Sequence, residues 1–362
     1  MSNTWRHADL FRLAHPKGID PRVGDFILKG EISKDAPEIL HGFQMAQSAQ
    51  NVSEVLNALR IHKNLPWEAI PTQFLKEAEV WKTLFYDGAL GQTALLRNVT
   101  RFAKIGAFDD LKFAGDVAQA LANEERIING RVHPVAYANA LGIYGKGPLA
   151  QGGYGVRHRE WVVNAKVLGA LEDGFYSAFQ TIEPANKRTM ISIDTSASMT
   201  WGAPAGLVGM DYAGAAAVMA MVTLRTEPYV EINAFGTYVE KVKTVNVSDR
   251  DSLETVKEKI SRFSGGGTDC SAPMRHAREK NKNIDTFMVF TDNETWAGPE
   301  KPAQSLVKYR QTSGRDSRLA VVAFAGTEFT IADPTMPGIM MDFVGFDAAA
   351  PRVLADFSAG RI

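Results

Sequence analysis

The sequence predicts an array of α-helices followed by an α/β domain built on a mainly parallel sheet. Three observations carry this. Between Trp5 and Phe179, apolar residues recur at three- and four-residue spacing, the period of a helix with one buried face. From Arg188 onward, apolar runs of strand length alternate with helical patterns. The two textures meet at "EPANKR" (183–188), a polar link containing a proline, so the expected domains are residues 1–186 and 187–362.

In the first part, "PEILHGFQMAQSAQNVSEVLNALRIHKN" (37–64) and "PTQFLKEAEVWKTLFYDG" (71–88) read as helix. Pro37, Pro66, Pro71, Gly88, Gly106 and Pro134 punctuate the series. No strand alternation interrupts it. Successive amphipathic helices with short connections predict a solenoid or an irregular helical array, although no strict repeat shows in the letters. In the second part the strand candidates are "TMISIDTS", "PYVEINAF", "YVEKVKTV", "DTFMVFTD" and "RLAVVAFA". Between them lie "DYAGAAAVMAMVTLRT", "DSLETVKEKISRF", "APMRHAREKN" and "KPAQSLVKYRQT", which read as helices. A hairpin around Phe235 to Tyr238 would add one antiparallel edge strand. The methionines of "AVMAMV" are expected in the core.

Composition narrows the class. The 362 residues are 45% hydrophobic and 22% charged, ordinary for a soluble globular chain with room for two domains. A net charge of -1 removes any whole-chain argument for nucleic acid, so an RNA site would have to be a local patch. Cys270 is the single cysteine, which rules out an intrachain disulfide and fits a reducing compartment. The N-terminal stretch lacks an apolar signal core. The most apolar run, Ala213 to Leu224, falls short of the ~20 residues that a membrane helix needs. The expectation is a cytoplasmic protein without membrane contact.

Chemistry collects at the ends of the predicted strands, where open parallel sheets bind ligands. "DTSAS" places Asp194, Ser196 and Ser198 two residues apart after a buried strand. "SGGGTDCS" brings Thr268 and Asp269 after three glycines, and "VFTDNE" ends a strand at Asp292. Carboxylates and hydroxyls without histidine or a thiolate cluster form a hard-oxygen set, which suits Mg²⁺ (or Mn²⁺) rather than Zn²⁺. Ser196, Ser198 and Thr268 would bind directly, and Asp194 and Asp292 would hold the ion's waters. Taken singly, each cluster could equally cap the following helix. Three at one sheet edge favour a cation cup. Asp269 remains open as a further ligand or a helix cap. Cys270 reads as a buried structural thiol rather than a nucleophile.

These residues also carry a resemblance. "DTSASM" is similar to the D-x-S-x-S signature of von Willebrand factor A domains with a metal-ion-dependent adhesion site. "GGGTDCSAPM", "VFTDNETWAG", "FTIADP", "VGFD", "TALLRN", "KRTMISIDTSASM" and "WRHADLFRLAHPKG" resemble the Ro 60 kDa autoantigen family, the TROVE-module proteins. The resemblance runs nearly the whole chain. It implies a HEAT-like helical array followed by a doubly wound, Rossmann-like von Willebrand A domain. It implies RNA binding in a ribonucleoprotein: small noncoding Y RNAs outside a helical ring, and single-stranded 3′ ends of misfolded RNA in its hole. It further implies work beside a 3′ exonuclease, tethered through RNA, and metal ligands Asp194, Ser196, Ser198, Thr268 and Asp292. Family members carry further helices before the piece matching Trp5. The expectation here is therefore an open arc with an apolar face near Trp5, Leu10, Phe11 and Leu13, met by a second copy or a companion chain.

His7, Arg12, His15 and Lys17 lie in a segment whose family counterpart contributes to Y RNA binding; a solvated helix start is the alternative. Arg97 in "ALLRN" reads either as an RNA contact or as the partner of a buried carboxylate. "YGKGPLAQGGYGVRHR" (144–159), with Arg157 and Arg159, combines glycines, tyrosines and cations as single-stranded RNA sites do, or is a plain connector. The leading expectation is a non-enzymatic RNA-binding protein. A metal-dependent protein-interaction module without RNA function is the alternative. A Mg²⁺ hydrolase ranks third, because no general base is evident beside the clusters.

Overall fold

The computed structural model describes residues 6–146, 161–204, 207, 209–236, 239–263, 267–292, 295, 297–326, 331–345 and 350–362. The chain divides into two compact units, Met1–Ala114 and Gly115–Ile362. The division falls well before residue 187, because the last helices of the helical region pack within the second unit.

The first unit holds α1 (His7–Ala14), α2 (Pro21–Lys29), α3 (Glu38–Ser48), α4 (Val52–Ile61), α5 (Ala78–Tyr86) and α6 (Gln92–Lys104). The long helical stretch 37–64 is two helices. Asn51 is extended and its side chain accepts from Glu54 N, while Glu54 Oε2 accepts from Gln50 N at 2.8 Å. This reciprocal cap satisfies orphan amides and starts a new helix. The stretch 71–88 opens as a 3₁₀ turn over Thr72–Lys76 before α5. Trp81, Phe102 and Phe113 centre the core, with ring centroids 5.2 Å and 5.9 Å apart along that series. Trp81 Nε1 donates to Leu75 O at 2.9 Å, so the buried indole keeps its hydrogen bond.

The helix α7 (Leu111–Leu121) leads into the second unit, followed by α8 (Glu124–Asn129), α9 (Pro134–Lys146) and α10 (Ala165–Ser177). The α/β domain then runs β1 (Arg188–Asp194), α11 (Tyr212–Thr226), β2 (Tyr229–Gly236), β3 (Val239–Thr244), α12 (Leu253–Ser261), α13 (Ala272–Glu279) and β4 (Thr286–Thr291). It closes with α14 (Pro302–Ser313), β5 (Arg318–Ala323), β6 (Met340–Val344) and α15 (Ala350–Ala359). The five expected strands and the antiparallel edge are present. The sequence did not point to β6, because "MMDFV" is short and only its first residue is buried.

The sheet order is β3-β2-β1-β4-β5-β6, parallel except for β2–β3. From β1 the chain builds first toward β2 and later toward β4. The carboxyl ends of β1 and β4 therefore meet at a topological switch point, where a crevice opens. α11 is buried over Gly214–Thr223, Met219 and Met221 included. It lies against β1 and β2 and also against α9 and α12, so it has no solvent face and no need of a polar stripe. α9 reaches the loop before α11 very closely. Gly209 N donates to Asn139 Oδ1 at 2.9 Å, and a Cβ on Gly142 would sit 2.2 Å from Gly209 O.

Candidate metal centre and nucleic-acid interface

β1 is buried throughout after Arg188, and it delivers Asp194 to the crevice with 1% of its surface exposed. Asp194 Oδ1 accepts from Ser196 N at 2.8 Å. Its Oδ2 accepts from Thr268 Oγ1 and Thr291 Oγ1, both at 3.0 Å. Ser196 Oγ and Ser198 Oγ lie 3.0 Å apart. Asp292 follows directly after β4 and is buried, with its Oδ1 3.5 Å from Thr291 Oγ1. The structure thus joins Asp194, Thr268 and the two serines in one cluster, with Asp292 beside Thr291.

Burial pushes the Asp194 carboxyl above its usual range, and the hydrogen bonds from Ser196, Thr291 and Thr268 pull it back. A nearby cation would favour the charged form in the same way. Two carboxylates and four hydroxyls make a hard-oxygen donor set. Among the described residues no group of three or more His, Cys, Asp or Glu gathers for a soft or carboxylate-rich metal site. The residues present fit a hard divalent ion that keeps part of its water shell.

Thr291 is the member that the sequence did not point to. β1 and β4 pair Ile193 with Phe290, so the next residue of each strand, Asp194 and Thr291, stand side by side. Only strand register brings them together, and two strands 97 residues apart carry no local sign of it.

Asp269 is committed elsewhere. Its Oδ1 accepts from Ser271 N and Oγ, and its Oδ2 pairs with Arg275 Nη2 at 2.7 Å. It therefore organises the start of α13. Gly298, at φ +105°, passes so close that a Cβ there would clash with this carboxylate. Cys270 is fully buried, and burial pushes its thiol well up, so it is an inert core residue.

His7, Arg12, His15 and Lys17 are all exposed on α1 and the turn after it, and Arg12 lies 3.6 Å from Asp9. Leu10 and Leu13 are 60% and 65% exposed on the same helix, whereas Phe11 turns inward against Gly24 of α2. Among the described residues Arg97 does not pair with a buried carboxylate. It is exposed, and among the described residues it makes no ion pair, because the buried face of α6 is formed by Leu95, Leu96, Asn98, Val99 and Phe102. Arg97, Arg101 and Lys104 follow one another along the exposed side of α6. The Arg101 guanidinium stands 5.7 Å from the Trp67 ring and 5.4 Å from Trp81. Arg157 and Arg159 lie outside the described residues.

Comparison with known proteins places this architecture. Residues 188–358 match the Ro60 vWA domain and residues 43–145 match the TROVE domain. The crystal structure of the Ro (RSR) protein of Deinococcus radiodurans superposes with a TM-score of 0.85 at 36% identity, over 100% of this chain and 72% of that one. The chain belongs to the Ro60 family. The RNA-binding protein RO60 of D. radiodurans is 37% identical over 99% of this chain, and that of Caenorhabditis elegans is 29% identical over 99%. The chain spans 66% and 61% of the length of these two Ro60 relatives. Among the described residues, no helix is long and apolar enough to cross a membrane.

Proposed function

We propose that this chain is a non-enzymatic, Ro-type RNA-binding protein of the cytoplasm. The observation that carries this is similarity across 99% of the chain to two proteins named for RNA binding, together with the match to the TROVE domain over 43–145. The exposed cations of α6 supply a suitable surface. They lie inside the matched segment, where Arg97 and Arg101 can reach phosphates and the half-buried Trp67 offers a ring beside them. His7, Arg12, His15 and Lys17 would extend the contact, and so would Arg157 and Arg159. The ligand class is small noncoding RNA, Y-like or misfolded, with a single-stranded 3′ end. A 3′ exonuclease would meet the complex through that RNA.

The cup at the switch point would hold Mg²⁺, or Mn²⁺ in its place. Ser196, Ser198 and Thr268 would face the ion, and Asp194 and Asp292 would orient its waters. The ion would supply an open, positively charged position for an acidic group of a partner. A second reading, a metal-dependent protein-interaction module, draws on this geometry alone. Fluorescence anisotropy separates the two readings. A structured RNA with a free 3′ tail should bind equally with Mg²⁺ or with EDTA, and Arg97→Gln with Arg101→Gln should weaken it. No RNA binding at low salt would leave the interaction module standing.

A further inference from the structure

The opposite edge of the sheet holds a second polar constellation. Lys187 precedes β1, Asp285 precedes β4, and Arg315 and Asp316 lead into β5, which Arg318 opens. With Ser358 and Ala359 of α15 they line a cavity of about 360 Å³. Because β1, β4 and β5 are parallel, this is the amino edge. The seven residues of β1 put it roughly 20 Å from Asp194.

The charges in this cavity do not cancel. Asp285 is occupied on both oxygens: Oδ1 accepts from Arg315 Nη1 at 2.7 Å and Oδ2 from Arg188 N at 3.0 Å. Asp316 pairs with Arg310 at 3.0 Å and its side chain is fully exposed to solvent. Lys187 and Arg318 are half-buried; among the described residues Lys187 has no carboxylate partner, while Arg318 is held by Phe357 and Ile362. Arg318 Nη1 donates to Phe357 O at 2.6 Å and Ile362 O at 3.3 Å, which answers the partial negative charge at the end of α15. Its remaining N–H groups have no acceptor among the described residues.

Ser358 supplies an independent observation. It is 2% exposed and lines the cavity, yet among the described residues its hydroxyl has no hydrogen-bond partner. Buried hydroxyls are rarely left so, since an unmet donor carries its full desolvation cost. An unpaired Lys187, an Arg318 guanidinium with N–H groups to spare and an unmet hydroxyl around one cavity match a group with several acceptor oxygens and negative charge.

We propose that this cavity is an oxyanion site that takes the phosphate group of a small ligand, either inorganic phosphate or a mononucleotide. Lys187 and Arg318 neutralise its charge and Ser358 Oγ donates to one oxygen. Nothing in this site involves the Asp194 cup or α6, so it stands apart from RNA binding.

Titration calorimetry in EDTA, which keeps divalent ions from the cup, tests this on the full chain. Inorganic phosphate and AMP are titrated into wild type, Lys187→Gln and Ser358→Ala. Lys187→Gln should weaken phosphate about tenfold, and Ser358→Ala about threefold. Ser358→Ala should leave Tm unchanged or slightly higher, because it removes a hydroxyl that has no partner among the described residues. A Tm that does not fall separates a binding role from a structural one. Tighter binding of AMP than of phosphate assigns the site to a nucleotide, and equal affinity assigns it to free phosphate. No saturable heat up to about 10 mM of either ligand, or one affinity shared by all three proteins, overturns the proposal.

Discussion

Asp194 anchors the cup through three hydrogen bonds, and its substitution tests the centre most directly. Asp194→Ala should abolish the calorimetric signal of Mg²⁺ while the circular dichroism spectrum stays native. The stability cost should be about 1–3 kcal/mol, since Thr268, Thr291 and the Ser196 amide lose their acceptor. Equal Mg²⁺ affinity in the variant would remove the assignment. Thr291→Val is the finer probe. It should weaken Mg²⁺ about tenfold by freeing the carboxylate it orients. His133 gives a pH prediction. Its partly buried ring accepts from Val135 N at 3.1 Å at the start of α9, and burial lowers its pKa to about 4. The unfolded chain then binds the proton more readily between pH 4 and about 6.5, so stability rises with pH across that window and is lost as pH falls through it. After a discount for partial exposure the loss is about 2 kcal/mol. Urea unfolding at pH 7 and pH 4.5 reads it, and His133→Asn should flatten the difference.

At the scale of elements, α6 and α1 carry the proposed contacts with RNA and with other chains. Replacing Arg97 and Arg101 with Gln should lower RNA affinity and flatten its salt dependence by about 0.7 log-log units per lost phosphate contact. The pair Arg12→Ala with Lys17→Ala should act similarly, and Ser196→Ala should not. If both cation pairs bind like wild type, the patch is misplaced. On α1, Leu10 and Leu13 present adjoining apolar surface, and such surface tends to find a partner. Light scattering should show a mass that rises with concentration and falls on Leu10→Asp with Leu13→Asp. A concentration-independent monomer, equally soluble in the variant, would count against self-association.

On the scale of the whole molecule, the strand-helix alternation after Arg188 was plain in the letters because each buried parallel strand is a short apolar run and each helix keeps its own period. Two boundaries describe the domains, and the Ro60 vWA match begins at 188. Texture changes at residue 187, but compactness changes at 114, because packing follows surface complementarity rather than helix content. The small residues of α9 and of the loop before α11, Gly142 and Gly209, allow backbone contact that no periodicity announces.

The sequence by itself determined most of the elements, β6 apart, together with the core methionines of α11, the inertness of Cys270 and the oxygen-rich strand ends of the cup. Each of these is local, set by hydrophobic period and side-chain chemistry within a few residues. Tertiary structure alone decided what depends on register and on chain pieces far apart. It placed Thr291 beside Asp194, committed Asp269 to Arg275, turned Arg97 to solvent, and set Lys187, Arg318 and Ser358 around one cavity. The physical reason is that a side chain's neighbours across a sheet are chosen by strand order and pairing, which the folded chain minimises as a whole and no single segment encodes.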